Sequence, residues 1–233
     1  MLIVALDVYT LDEAKAIVGA TTSQVAIYKI GLQLLTAEGP EIIRYLKSIG
    51  KTVFLDLKLH EISNSVASAV TAAGRHDVDM ISVHASGGQQ MMAAAVEAAA
   101  SFDGMKVLAL TVVTGLNDSD LSAMGVQRNS EEQVITLAVL AQRSGCHGVI
   151  ASVQEVAHLR RVLADEILIL TPGIRPARSE CHDQRRAGTP EQAIRDGASH
   201  IVVGRPVVYA DRPQLVVQEI NQQIASAHAS RGS

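Results

Sequence analysis

Residues 52–61 run Thr52-Val53-Phe54-Leu55-Asp56-Leu57-Lys58-Leu59-His60-Glu61, an apolar run that gives way to spaced charges. A strand turns successive side chains to opposite faces. Asp56 and Lys58 are therefore expected to leave the end of a strand over Thr52–Leu55 on the same side. A strand apolar on both faces is buried on both, as parallel strands are. Two opposite charges at its end are costly unless they are paired or used. They form either a structural ion pair or half of a chemical site, since both arrangements perturb ionisation.

The same kind of apolar run recurs along the chain, at Leu2–Leu6, Ala26–Ile30, Met80–His84, Val107–Val112, Gly148–Ser152, Ile167–Thr171 and His200–Gly204. Between the runs lie segments with helical spacing: Leu11–Gly19, Leu34–Ile49, Asn64–Gly74, Gln89–Ala100, Glu131–Ser144, Val153–Leu163, Pro190–Asp196 and Gln214–Ala225. Strands alternating with helices predict parallel βα units. In 233 residues they fit one α/β domain, a (β/α)8 TIM barrel over 1–233 with a small polar tail, 226–233, expected to fray. An open doubly wound sheet is the alternative. No Gly-x-Gly-x-x-Gly follows the first run, which weakens its dinucleotide-binding form.

Composition narrows the partners. Hydrophobic residues make up 48% of the chain and aromatic ones 3%, with no Trp, so the core is aliphatic. A net charge of −4 supplies no field for nucleic acid, and few aromatics leave no base-stacking platform. No stretch reaches membrane length, and the N-terminus lacks a basic leader, so a cytoplasmic protein without membrane contact is expected. Cys146 and Cys181 are too few for a disulfide framework. Cys146-His147 and Cys181-His182-Asp183 lack a second paired half, and no metal site is expected.

In a barrel the ends of the strands form the reactive face. Those ends carry Asp7, Lys29, Asp56, Lys58, His84, Thr114, Ser152, Thr171 to Arg175, and Gly204-Arg205. Two lysines and two aspartates converge on the first three strands. They form either a charge-balanced mouth or a proton donor beside a carboxylate that strains a charged substrate. Thr171-Pro172-Gly173-Ile174-Arg175 and Val203-Gly204-Arg205-Pro206 put Gly beside Arg at adjacent strand ends, the corner where barrels hold phosphate. The connections Gly115–Ser130 and Gly173–Thr189 are long and polar, as substrate loops are. His84 suits a hydrogen-bonded barrel histidine better than a general base. Residue types point to a barrel enzyme for a phosphorylated small molecule and do not name the reaction.

Several blocks taken together do. Lys29-Ile30-Gly31, Asp56-x-Lys58, Thr171-Pro172-Gly173-Ile174-Arg175-Pro176, Asp183-Gln184-Arg185-Arg186 and Val202-Val203-Gly204-Arg205-Pro206 resemble, in the same order, orotidine 5′-phosphate decarboxylases of the bacterial type. The resemblance implies decarboxylation of orotidine 5′-phosphate to uridine 5′-phosphate and CO2 in de novo pyrimidine synthesis, without a cofactor. It implies that Lys58 protonates C6 of the pyrimidine, Asp56 crowds the substrate carboxylate, and Lys29 orders the charges and holds the ribose. Asp7 would also face the ribose, and Thr114 the pyrimidine. Arg175, Gln184, Gly204 and Arg205 would hold the phosphate. It further implies a homodimer with shared active sites, in which Glu61 and Ser65 reach into the partner's site. The family usually has Asp and Thr at these two positions, so Glu61 is one methylene longer and Ser65 one methyl shorter. Two other classes remain open: a Mg2+-dependent aldolase or decarboxylase for a sugar phosphate or modified nucleotide, and a non-catalytic nucleotide-binding paralogue.

Overall fold

The computed structural model describes residues 1–175 and 188–231. Eight parallel strands close into a barrel in sequence order, with the last pairing to the first. They are β1 (Leu2–Ala5), β2 (Ile27–Gly31), β3 (Thr52–Leu59), β4 (Met80–His84), β5 (Lys106–Leu110), β6 (Gly148–Ile150), β7 (Leu168–Thr171) and β8 (His200–Val203). Around them, among the described residues, lie α1 (Leu11–Thr21), α2 (Leu32–Glu38), α3 (Glu41–Ser48), α4 (Ser63–Gly74), α5 (Gly88–Ala99), α6 (Asp118–Ala123), α7 (Ser130–Arg143), α8 (Val156–Val162), α9 (Pro190–Asp196), α10 (Arg205–Val208) and α11 (Pro213–Arg231). No described helix is long and apolar enough to cross a membrane.

Strand alternation divides the core into two layers. Ile3, Ala5, Ile27, Phe54, Met80, Leu108, Leu110, Ile150, Leu170 and Val202 fill the barrel interior. The residues between them, such as Val4, Tyr28, Val53, Ile81, Val107 and Val149, pack outward against the helices. The interior is narrow at β6. A Cβ on Gly148 would stand 2.7 Å from both Cβ and the carbonyl oxygen of Leu168, so only glycine fits there. Helix starts follow their capping residues: Thr10 with Glu13 before α1, and Asn129 with Glu132 before α7, each form a reciprocal capping box.

Four departures from the sequence expectation have physical causes. The single helix expected over Leu34–Ile49 is two, because Gly39 takes φ +66° and Pro40 has no N–H to continue the ladder. The segment expected as one helix over Val153–Leu163 begins with a 3-10 turn, Val153–Glu155, before α8. The polar 115–130 connection holds α6, started by a capping box between Asn117 and Asp120. Residues 226–231 continue α11 rather than fraying; Ala227, fully buried, anchors that last stretch.

Candidate active site

The interior alternation that produces the apolar floor also produces the site above it. Ile3 and Ala5 lead to Asp7, Ile27 to Lys29, Phe54 to Asp56, and Val202 to Gly204. The polar side chains thus continue the inward-facing rows at the carboxyl ends of the strands. Register sets Lys29 beside Ala5 and Phe54, one inward step below Asp7 and Asp56, and its long side chain reaches both carboxylates.

The charges form one chain of ion pairs. Lys29 Nζ lies 3.1 Å from Asp7 Oδ1 and 3.4 Å from Asp56 Oδ2, and Lys58 Nζ donates to Asp56 Oδ1 at 2.9 Å. Burial pushes the Asp56 carboxyl up. The charges of Lys29 and Lys58 and hydrogen bonds from Lys58 and Ser82 outweigh that effect and hold it below the usual aspartate range. Asp56 is thus a buried, ionised carboxylate clamped between two ammonium groups. Glycine makes the room for this: a Cβ on Gly31 would stand 3.1 Å from both Asp7 Oδ1 and Lys29 Nζ, and one on Gly204 would stand 3.2 Å from Asp7 Oδ2.

Asp56 and Lys58 do share a side, but regular alternation is not the cause. β3 does not stop at Leu55; it runs on to Leu59 through a bulge. Leu55 pairs with Ile81 and Leu59 with Val83, so four steps of β3 lie against two of β4. Within the bulge Lys58 adopts φ +52°, a left-handed conformation uncommon outside glycine. The bulge re-aims the lysine over the carboxylate.

A cavity of about 460 Å³ gathers most of the expected residues: Asp7, Lys29, Asp56, Lys58, Thr114, Arg175, Gly204 and Arg205 line it together, above Phe54, Leu110, Ile150 and Val202. Arg175 is buried, and its backbone N–H donates to Gly188 O at 2.9 Å while Nη1 donates to Ile174 O at 3.0 Å. Gly173 beside it has φ +80°. Gln184, expected on the phosphate, lies outside the described residues, as do Cys181, His182 and Asp183. Glu61 and Ser65 are not in this cavity. Glu61 sits in a separate open cleft with His60, Ile62, Ser63 and Gln90. The Ile62 backbone N–H and the Ser65 hydroxyl hold its carboxyl below the usual glutamate range. Next to it Ile62 is 67% exposed.

His84 accepts or donates a hydrogen bond with Ser86 Oγ at 2.7 Å and stacks on His60 at 5.3 Å between ring centroids. Burial, then the charges of His60 and Lys58, keep its pKa below that of an ordinary histidine. Three site residues escape a reading of strand-end charges. Gln33 lines the cavity from α2, and Tyr209 from the turn just past α10. Ser82 is fully buried beneath the charges. Its signal is parity: in Met80-Ile81-Ser82-Val83-His84 it is the one small polar residue on the inward row that Met80 begins.

A larger cleft of about 620 Å³, lined by Asn117, Asp118, Ser119, Ser130, Glu131 and Glu155, holds none of the expected residues. Among the described residues no three or more His, Cys, Asp or Glu side chains gather so as to hold a metal ion.

Comparison with known proteins adds a family to this geometry. The chain is 45% identical over 218 residues to an orotidine 5′-phosphate decarboxylase of Idiomarina loihiensis, covering 93% of this chain and 94% of that one. It is 43% identical to one of Saccharophagus degradans, covering 97% and 95%. The crystal structure of orotidine 5′-phosphate decarboxylase from Lactobacillus acidophilus superposes with a TM-score of 0.83 at 33% identity, over 96% of this chain and 98% of that one. Residues 1–220 match the family as a whole, and the chain belongs to the orotidine 5′-phosphate decarboxylase / HUMPS family.

Proposed function

We propose that the chain is a carboxy-lyase that converts orotidine 5′-phosphate to uridine 5′-phosphate and CO2, as the relatives it matches are named to do. One observation carries the chemistry: the Asp7–Lys29–Asp56–Lys58 chain of ion pairs opens into the same cavity as Arg175, Gly204 and Arg205. The arginines and the glycine-edged strand ends take the 5′-phosphate, Gly204 leaving space for an anion and Arg175 and Arg205 supplying planar donors. Asp7 and Lys29 hold the ribose, and Thr114 the pyrimidine.

The substrate carboxylate then lies against Asp56. That carboxylate is ionised and fixed, so the reactant is destabilised by like charge, and phosphate binding offsets the cost. As the bond from C6 to the carboxylate breaks, its electron pair stays on C6 and CO2 departs. Lys58 Nζ delivers a proton to C6, so the negative charge left there with the pair never accumulates. Lys29, between Asp7 and Asp56, keeps the carboxylates from repelling one another.

The working form is a homodimer in which Glu61 and Ser65 of one protomer complete the other's charge network. Two features support this: Glu61 lies outside its own chain's cavity, and exposed Ile62 flanks it. A metal-dependent sugar-phosphate reaction fits less well, because Asp56 is occupied by two ammonium groups and Asp7 faces a third contact of the same kind at Lys29.

An ultraviolet assay on orotidine 5′-phosphate with EDTA present tests the activity. Turnover in chelator, lost in Lys58→Ala while uridine 5′-phosphate still binds, is the expected result. No turnover by the unsubstituted protein overturns the proposed activity, and substantial turnover by Lys58→Ala overturns the role of the lysine. Mixing inactive Lys58→Ala with inactive Glu61→Ala should restore activity if sites are shared.

A further inference from the structure

Ser82 sits on β4 opposite the bulge of β3, between the Ile81–Leu55 and Val83–Leu59 pairings. The bulge removes the ordinary ladder partner of the Lys58 backbone N–H, and the Ser82 hydroxyl replaces it: Lys58 N donates to Ser82 Oγ at 2.8 Å. The same hydroxyl donates to Asp56 Oδ1 at 2.9 Å, the oxygen that also receives Lys58 Nζ. One fully buried hydroxyl therefore closes a ring through the backbone of the lysine, the carboxylate and the lysine's own ammonium. A hydroxyl has one proton and two lone pairs, so it can accept from Lys58 and donate to Asp56 at once.

Two things need such a tie. Lys58 holds a left-handed conformation that is costly for a non-glycine residue and persists only when its surroundings enforce it. Asp56 has two oxygens facing two ammonium groups, and a third donor stops the carboxylate from rotating between them. We infer that Ser82 is a positioning residue for decarboxylation, acting by fixing the bulge so that Lys58 Nζ and the Asp56 carboxylate keep their separation as the substrate enters. This rests on the roles proposed above for Asp56 and Lys58.

Ser82→Ala removes the hydroxyl with little change in volume. The expected result is a fall in kcat of about 10- to 100-fold, the range for sub-ångström to 1 Å misplacement of reacting groups. Binding of uridine 5′-phosphate, which lacks the carboxylate and needs no proton, should stay within about threefold. Ser82→Thr, which keeps the hydroxyl, should recover most of kcat. Unchanged kcat in Ser82→Ala overturns the inference. So does an equal fall in kcat and in uridine 5′-phosphate affinity, which marks a general loss of structure. If Ser82→Ala does not fold, Ser82→Cys carries the test: its thiol fills the space but bonds weakly, and wild-type kcat there overturns the inference. Lys58→Ala, assayed alongside, separates the two levels. Turnover retained in Lys58→Ala removes the roles beneath the inference, whereas turnover lost there and kept in Ser82→Ala removes Ser82 alone.

Discussion

Replacing Asp56 by Asn keeps the shape of the side chain and removes its charge. The four charges Asp7, Lys29, Asp56 and Lys58 sum to zero, so neutralising one carboxylate leaves a buried positive charge uncompensated. At an effective dielectric of about 20, each ammonium at these distances contributes about 5 kcal/mol of gross attraction. The net loss is smaller. Lys29 keeps Asp7 at 3.1 Å, and Lys58, with 35% of its side chain exposed, can turn to water. Breaking a buried pair typically costs 3–5 kcal/mol, and the lower end, about 3 kcal/mol, applies here. In a chain of this size that is a fall in Tm of roughly 6–12 °C. The sign distinguishes this site from one built of strained like charges, where neutralisation stabilises. It also fixes the pH dependence. The folded pKa of Asp56 is depressed, so its stabilisation is fully present above the ordinary aspartate value of about 3.9 and is lost as pH falls through the lower folded value. Urea unfolding followed by circular dichroism at pH 7, 5 and 4 should show a constant gap between the variant and the wild type. With the ammonium of Lys58 released, kcat should fall by about 10²-fold or more, with substrate binding no weaker. An Asp56→Asn protein as stable as the wild type at pH 7, or one with unchanged kcat, refutes the reasoning.

Arg205→Ala should raise KM for orotidine 5′-phosphate and also lower kcat, because binding energy at the phosphate is used at the reacting carbon. A loss of about 30-fold or more in kcat/KM is expected from the roughly 2 kcal/mol floor for truncating one member of a charge pair, and an unchanged value refutes the phosphate assignment. Gly148→Ala forces a methyl against the β7 backbone and should destabilise by about 1–3 kcal/mol in urea unfolding while leaving KM in place. A neutral or stabilised variant would show that β6 and β7 have slack. His200, at the amino end of β8, is held down to about 4 by burial, then by the N-terminal ammonium and Lys106. The unfolded chain takes up that proton near 6.5 and the folded one does not, so stability should fall by about 2 kcal/mol between pH 7 and 5. His200→Asn should flatten that slope, and a slope left intact assigns it elsewhere.

Much of this was legible in the chain because a barrel interior obeys a two-residue period. Continuing the inward rows of Ile3, Ile27, Phe54 and Val202 locates Asp7, Lys29, Asp56 and Gly204. The same rule reaches Ser82, yet a lone serine inside Met80–His84 carries no charge to draw notice. The β3 bulge left no trace, because its cause lies in the pairing with β4 rather than in residues 52–59 themselves. Gly39-Pro40 is a visible helix break, but the apolar spacing on either side runs in phase across it. The run to Ala227 in α11 is similar: small, polar residues read as a tail until a neighbour buries one of them. Gln33 in α2 and Tyr209 just past α10 reach the cavity by an approach that only the closed barrel determines.

The charges of the site hang from β1, β2 and β3, three neighbouring strands joined by two parallel ladders. Strand spacing in such a ladder is about 4.8 Å and hardly deforms. The electrostatic part of the site is therefore cast in the stiffest material the molecule has, while Thr114 and Arg175 reach it from the loops after β5 and β7. Sequence change in those loops can alter which phosphorylated molecule is admitted, or how fast it leaves, without retuning the field at the reacting carbon. A family built this way can diversify its substrates around an unaltered charge array.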